Sequence, residues 1–153
     1  HRLVYEPKAW AEEDTPEEIG EEVKRRIRIG IGNFQALVRH PQYLTRTSAA
    51  TAFAYVSHKV LRWTAPHLLL LALGASVALA AQTGSSGWAL YALGQALAYL
   101  AAWAGWQMSS RGVKLPTLVK LAAFLFALNW AFLVASWRYA TGRYAGSWGR
   151  TSR

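Results

Sequence analysis

Residues 63–81 read WTAPHLLLLALGASVALAA and contain no Lys, Arg, Asp or Glu. They begin a run of uncharged residues that lies between Arg62 and Arg111. A bilayer core needs roughly 20 apolar residues per helix, so this run is long enough for two membrane-spanning helices. The polar hexapeptide QTGSSG at 82–87 divides it at a turn. The pattern therefore predicts a first span at 63–81 and a second at 88–108.

A third apolar segment at 117–137 has Lys120 near its start, where a long side chain can reach the interface. The composition agrees, because 16% of the residues are charged and soluble domains usually have about a quarter. The sequence predicts an all-α membrane protein in which an amphipathic interfacial helix precedes three transmembrane helices. The alternative is a soluble helical bundle, which three all-round apolar segments make improbable. Six tryptophans lie mostly near the span ends, as in an aromatic belt: Trp63, Trp88, Trp103, Trp106, Trp130 and Trp137.

The charged residues are unevenly distributed along the chain. All eight carboxylates lie in the first 22 residues, whereas 15 of the 17 Lys and Arg (all but Arg2 and Lys8) follow them. From Val23 onwards this excludes paired-carboxylate catalysis, EF-hands and acidic metal cages. The absence of cysteine excludes disulfides and thiolate zinc sites, and no metal site is predicted. The net charge of +9 comes from basic residues that flank the spans, so nucleic-acid binding is not expected.

The Lys and Arg also predict an orientation. They are concentrated before the first span and in the loop after the second, which by the positive-inside rule makes 41–62 a basic cytoplasmic connector. The basic tail, 138–153, is then expected on the other side of an inner or plasma membrane. Lys59, Arg62 and Trp63 are expected at the membrane interface, in contact with lipid headgroups. The chain begins with His and not Met, so we expect it to be part of a longer protein.

An amphipathic helix is predicted over 16–40. The segment 15–18, TPEE, reads as a capped helix start, and His40-Pro41 marks the end. At about 100° per residue one face is apolar, and such a face suits the headgroup region of a membrane. That face contains Val23, Ile27, Ile31, Phe34 and Val38.

A second stripe on this helix contains Arg25, Arg28, Gly32 and Gln35. Guanidinium groups match phosphate oxygens, so the stripe is a candidate site for a phosphate-bearing ligand. The alternative is a generic basic helix that binds anionic lipid. Glycine costs about 1 kcal/mol in a helix interior. Gly30 and Gly32 therefore indicate that a ligand or a neighbouring helix approaches the backbone closely.

The segment 25–37, RRIRIGIGNFQAL, resembles the interfacial helix of membrane-integrated family 2 glycosyltransferases. These include bacterial cellulose synthase, hyaluronan synthase and poly-N-acetylglucosamine synthase. Their helix has a Q-x-x-R-W motif followed by Gly and Gln. The segment 57–63, SHKVLRW, also resembles the point where many bacterial members re-enter the membrane. When the segment is aligned with this motif, Arg25 occupies the Gln position, Arg28 the Arg position and Ile29 the Trp position. Gly32 and Gln35 match the Gly and the Gln that follow the motif.

The resemblance implies that 1–15 ends a cytoplasmic catalytic domain that binds a nucleotide sugar and Mg²⁺ or Mn²⁺. The chain itself would then contain no catalytic residue and no cofactor, and would be inactive alone. The whole enzyme would transfer a sugar from a nucleotide-sugar donor to a lipid or polysaccharide acceptor. Arg25, Arg28, Gly32 and Gln35 would contact the donor diphosphate or the acceptor, while Ile29 leaves processivity open.

A different class of function also fits the sequence. The chain could be a small, non-enzymatic membrane accessory or scaffold protein with a basic, lipid-binding amphipathic helix.

Overall fold

The computed structural model describes residues 6–10 and 19–144. Within these ranges every regular element is helical, which confirms the all-α prediction. The predicted helix start at 15–18, the rest of the segment 1–15 and the tail from 145 onwards lie outside the described residues. In chain order the helices are α1 (Ile19–Arg39), α2 (Gln42–Thr45), α3 (Ala49–Tyr55), α4 (Leu61–Thr83), α5 (Ser86–Ser110) and α6 (Thr117–Ala140).

The three apolar segments form α4, α5 and α6, and each helix extends two or three residues past at least one end of its predicted span. Helix α4 ends at Gly84, whose φ of 64° lies in the left-handed region that favours glycine. Its backbone N–H donates to the carbonyl of Ala80 and closes the helix. Only Gly84 and Ser85 separate α4 from α5, so the two helices form a hairpin.

The predicted connector 41–62 is mostly helical. Helix α3 begins at Ser48, whose side chain accepts a hydrogen bond from the backbone N–H of Thr51. A π-helical turn, Val56–Val60, joins α3 to α4 in one 35-residue helix, Ala49–Thr83. At 1.5 Å per residue this helix is about 52 Å long, which exceeds a hydrocarbon core of about 30 Å. In a bilayer it must tilt strongly or extend beyond the core.

Among the described residues, two helices are long and apolar enough to cross a membrane, namely Ala49–Thr83 and Thr117–Ala140. Helix α5 is not one of them, although it packs against both. Large apolar side chains on all three helices face outward, and Leu118 is 79% exposed. Monomers in water rarely expose contiguous apolar surface on this scale, so these exteriors indicate association with a membrane.

Helix α6 forms the centre of the packing, through alanines that recur at every fourth position. Ala123, Ala127, Ala131 and Ala135 are all buried and share one side of the helix. Small side chains let neighbouring helices approach closely. On α5, a Cβ added to Gly105 would lie 3.5 Å from the Cβ of Ala123.

Helix α1 lies parallel to α6 along most of its length. Val23 packs against Ala127 and Ala131, and further along the ring of Phe34 stacks on the ring of Tyr139. The sequence predicts instead that the apolar face of α1 meets the headgroup region. In the structure that face is occupied by α6, because the alanine side chains leave a groove that fits it.

The start of α4 meets the end of α6, where His67 Nε2 and Ser136 Oγ lie 2.8 Å apart. Three spans aligned in depth would separate these residues by about 20 Å, at 1.5 Å per residue. The structure therefore differs from three aligned spans. Phe34 of α1 likewise contacts both Trp63 of α4 and Tyr139 of α6. The start of α4 and the end of α6, which the predicted orientation puts on opposite sides of a membrane, thus lie together in the structure.

Candidate functional site

The two glycines near the middle of α1 have different surroundings. A Cβ added to Gly30 would lie 2.7 Å from the Cβ of Ala135 and 3.3 Å from Cδ1 of Phe132. A Cβ added to Gly32 would meet nothing within 4 Å. Gly30 is thus the position where the neighbouring helix approaches the backbone, and Gly32 leaves the α1 backbone open to a ligand.

The predicted stripe borders the face of α1 that packs on α6. Arg25, Arg28, Gly32 and Gln35 are all half-buried, whereas Val23 and Ile31 on the packed face are buried. Packing thus fixes the rotation of α1 about its axis. The stripe stays partly accessible along one side of the helix.

Glu22 is a member of this site that the sequence reasoning missed. It is 9% exposed, and its carboxylate forms ion pairs with two arginines of the same helix. Arg25 Nη1 lies 3.8 Å from Glu22 Oε2, and Arg26 Nε donates to Glu22 Oε1. The spacings of three and four residues are those at which helical side chains meet, so this pairing could have been read from the sequence.

Replacing Glu22 by Gln is expected to lower the free energy of unfolding by about 1 kcal/mol. The two guanidinium groups would lose their anionic partner, and both are partly exposed, which limits the cost. The measurement is thermal unfolding in detergent, followed by circular dichroism. Glu21→Gln is the matched control, because Glu21 is the exposed neighbour on the same helix. An equal effect of both changes would contradict a specific role for Glu22.

The three residues predicted at the membrane interface separate into two environments. Lys59 and Arg62 are exposed, as interfacial cations would be. Trp63 is only 5% exposed, which corrects its assignment to the aromatic belt. Its indole packs edge-on against Phe34 of α1 and Tyr55 of α3, with ring centroids 6.4 and 6.0 Å apart. These protein rings supply the apolar contacts that lipid was predicted to supply.

Trp63 belongs to a chain of neighbouring rings that joins five helices, α1, α2, α3, α4 and α6. From Trp63 and Phe34 the ring contacts continue to Tyr139 of α6, and from Tyr55 to Tyr43 of α2. Each aromatic pair contributes about 0.5–1.5 kcal/mol beyond its buried area. The cluster therefore fixes the C-terminal part of α1, with Gln35, relative to the start of α4.

The polar groups inside the apolar helices mostly serve packing. Gln95 Nε2 of α5 donates to the carbonyl of Leu69 in α4 at 2.7 Å and to Tyr99 Oη at 2.6 Å. Asn129 Nδ2 donates to the carbonyl of Leu125 in its own helix. Gln107 lines a cleft of 260 Å³ between α5 and α6, together with Trp103, Trp106, Phe126 and Trp130.

Within residues 6–10 and 19–144, no three His, Asp or Glu side chains are grouped so as to hold a metal ion. No protein-family model, curated protein or solved structure matches the chain.

Proposed function

We propose that this chain is the C-terminal membrane portion of a family 2 glycosyltransferase, which transfers a sugar from a nucleotide-sugar donor to a lipid or polysaccharide acceptor. In this proposal the apolar helices α4, α5 and α6 are embedded in a bacterial-type inner or plasma membrane. The residues before α4 lie at its cytoplasmic face, as the distribution of Lys and Arg favours. The Mg²⁺ or Mn²⁺ of such an enzyme belongs to an upstream catalytic domain, so the chain alone is expected to be inactive.

The observation that carries the proposal is that the two sides of α1 have different environments. One side is fixed against α6 by Val23, Gly30 and Ile31, while the side with Arg28 and Gln35 stays partly accessible. A binding helix needs this combination, because a rigid support holds the ligand-binding groups in place. The residues on the accessible side are those in which the chain resembles the family motif.

The chemistry of the stripe suits a nucleotide diphosphate. When the bond between the sugar and the diphosphate breaks, negative charge develops on the diphosphate, and the Arg28 guanidinium would stabilise it. The open space beside Gly32 admits a phosphate close to the backbone. The Gln35 carboxamide supplies a neutral hydrogen-bond donor one turn further on.

Two positions depart from the family motif. Arg25 stands where the motif has a neutral Gln, but Glu22 lies 3.8 Å from it and offsets part of the added charge. This pairing supports the proposed register. Ile29 stands at the Trp position and cannot stack on an acceptor sugar as an indole does. The proposal therefore includes both single-sugar transferases and polymerases.

Replacing Gln35 by Glu in the full-length enzyme is expected to raise KM for the nucleotide sugar about tenfold. The new carboxylate would repel the diphosphate, and about 1.4 kcal/mol of repulsion corresponds to this factor. The measurement is sugar transfer by membranes that contain each variant at matched expression, with the donor concentration varied. Gln42→Glu is the matched control, since Gln42 is exposed on α2 outside the stripe. An unchanged KM in Gln35→Glu would contradict the placement of the donor diphosphate beside this stripe.

A further inference from the structure

We infer that the membrane-surface segment of this protein is residues 38–62, which bind an anionic phospholipid surface, and not the amphipathic helix α1. The sequence pattern of α1 predicts that its apolar side faces lipid. In the structure Val23, Gly30 and Ile31 on that side are buried, and they pack on α6. The strongest apolar surface of α1 is thus already covered by protein.

The segment 38–62, in contrast, is not covered by protein. Helices α2 and α3 and the π-helical turn contain no buried residue. Three large apolar side chains of the segment are strongly exposed, namely Val38, Tyr43 and Phe53, at 62%, 52% and 73%. Apolar side chains in such exposed positions can insert into the headgroup region of a bilayer.

The charge of this segment identifies the partner as anionic. Arg46, Lys59 and Arg62 are exposed, and the sequence has no Asp or Glu anywhere from Val23 to Arg153. No acidic side chain of the segment itself can therefore neutralise them. Cations next to exposed apolar groups are the pattern that binds membranes containing anionic lipid.

The position of the segment along the chain also places it at a membrane surface. Its C-terminal half is continuous with α4 in the helix Ala49–Thr83, which exceeds the thickness of a bilayer core. The π-helical turn Val56–Val60 interrupts the regular hydrogen bonding where the exposed basic part meets the apolar part. The inference rests on the membrane integration that the proposed function includes, and it adds the lipid class and the segment that binds it.

The absence of cysteine makes a direct test possible, because a single introduced thiol is the only one to label. Phe53→Cys is labelled with a polarity-sensitive fluorophore and reconstituted in vesicles of phosphatidylcholine, with or without phosphatidylglycerol. Quenching by lipids that carry a nitroxide at a shallow or a deep position reports the depth of the label. We expect shallow quenching, and we expect the ratio of surface-bound to unbound segment to rise about fivefold per interacting cation when phosphatidylglycerol is added.

Two further variants make the outcomes distinguishable. Leu97→Cys, in the middle of α5, is expected to be quenched from the deep position, and failure there would count against membrane integration itself. Quenching of Leu97→Cys without quenching of Phe53→Cys would overturn the inference and leave the proposed function intact. Replacing all four cations of the segment by Gln in Phe53→Cys, namely Arg39, Arg46, Lys59 and Arg62, should remove the response to phosphatidylglycerol. If the response persists, the anionic headgroup is not the partner.

Discussion

Arg28→Ala in the full-length enzyme is expected to reduce sugar transfer about a hundredfold. Loss of one charged contact to a transition state in a water-poor site typically costs about 3 kcal/mol. Arg28 lies on the partly accessible side of a helix whose other side is fixed against α6, where it can face a ligand. The measurement is sugar transfer from a nucleotide-sugar donor at matched expression of each variant.

Arg28→Lys is expected to impair transfer as well, because an ammonium group cannot reproduce the planar fork of a guanidinium. Arg26→Lys is the matched control. Arg26 pairs with Glu22, and an ammonium at that position can still do so. Near-wild-type transfer by Arg28→Ala would refute the assignment of this residue to the donor diphosphate.

Gly30→Ala is expected to lower the free energy of unfolding by about 2 kcal/mol. The new methyl group would lie 2.7 Å from the Cβ of Ala135, and neither backbone can yield without moving a whole helix. Overpacking of this kind typically costs about 1–3 kcal/mol. The measurement is thermal unfolding in detergent, followed by circular dichroism and tryptophan fluorescence.

Gly32→Ala is the matched control for this prediction, two residues along the same helix. Its Cβ would meet nothing within 4 Å, so the change should stabilise the helix by about 0.5–1 kcal/mol. Adding Ala135→Gly to Gly30→Ala should restore part of the lost stability, because it removes the atom that the new methyl group meets. Equal stability of the two alanine variants would show that α1 does not pack on α6 through Gly30.

The local structure of the apolar segments could be predicted because it depends on neighbouring residues. An uncharged run has to satisfy its backbone hydrogen bonds internally when water is absent, and a helix does so. The turn at 82–87 could also be predicted from the sequence. Glycine readily adopts the left-handed conformation that Gly84 has at the end of α4, whereas most residues disfavour it. Helix α1 ends at Arg39, before His40-Pro41, since a proline disfavours helical geometry in the residue before it.

The candidate site was partly readable for the same reason. Helical spacing alone places Arg25, Arg28, Gly32 and Gln35 on one stripe, and it equally places Glu22 beside Arg25 and Arg26. The sequence could not predict which of the two glycines contacts another helix. Gly30 and Gly32 have the same local sequence features, and only the position of Ala135 distinguishes them.

The sequence by itself determined that the described chain is helical, that a turn within 82–87 separates α4 from α5, and which side of α1 is apolar. Only the tertiary structure decided what covers that side. Periodicity identifies the residues that are shielded from water, but either lipid or a groove lined by alanines can shield them. The buried alanines of α6 and the ring of Phe34 lie far from their partners in sequence, so the docking of α1 and much of the burial of Trp63 follow from packing between distant segments.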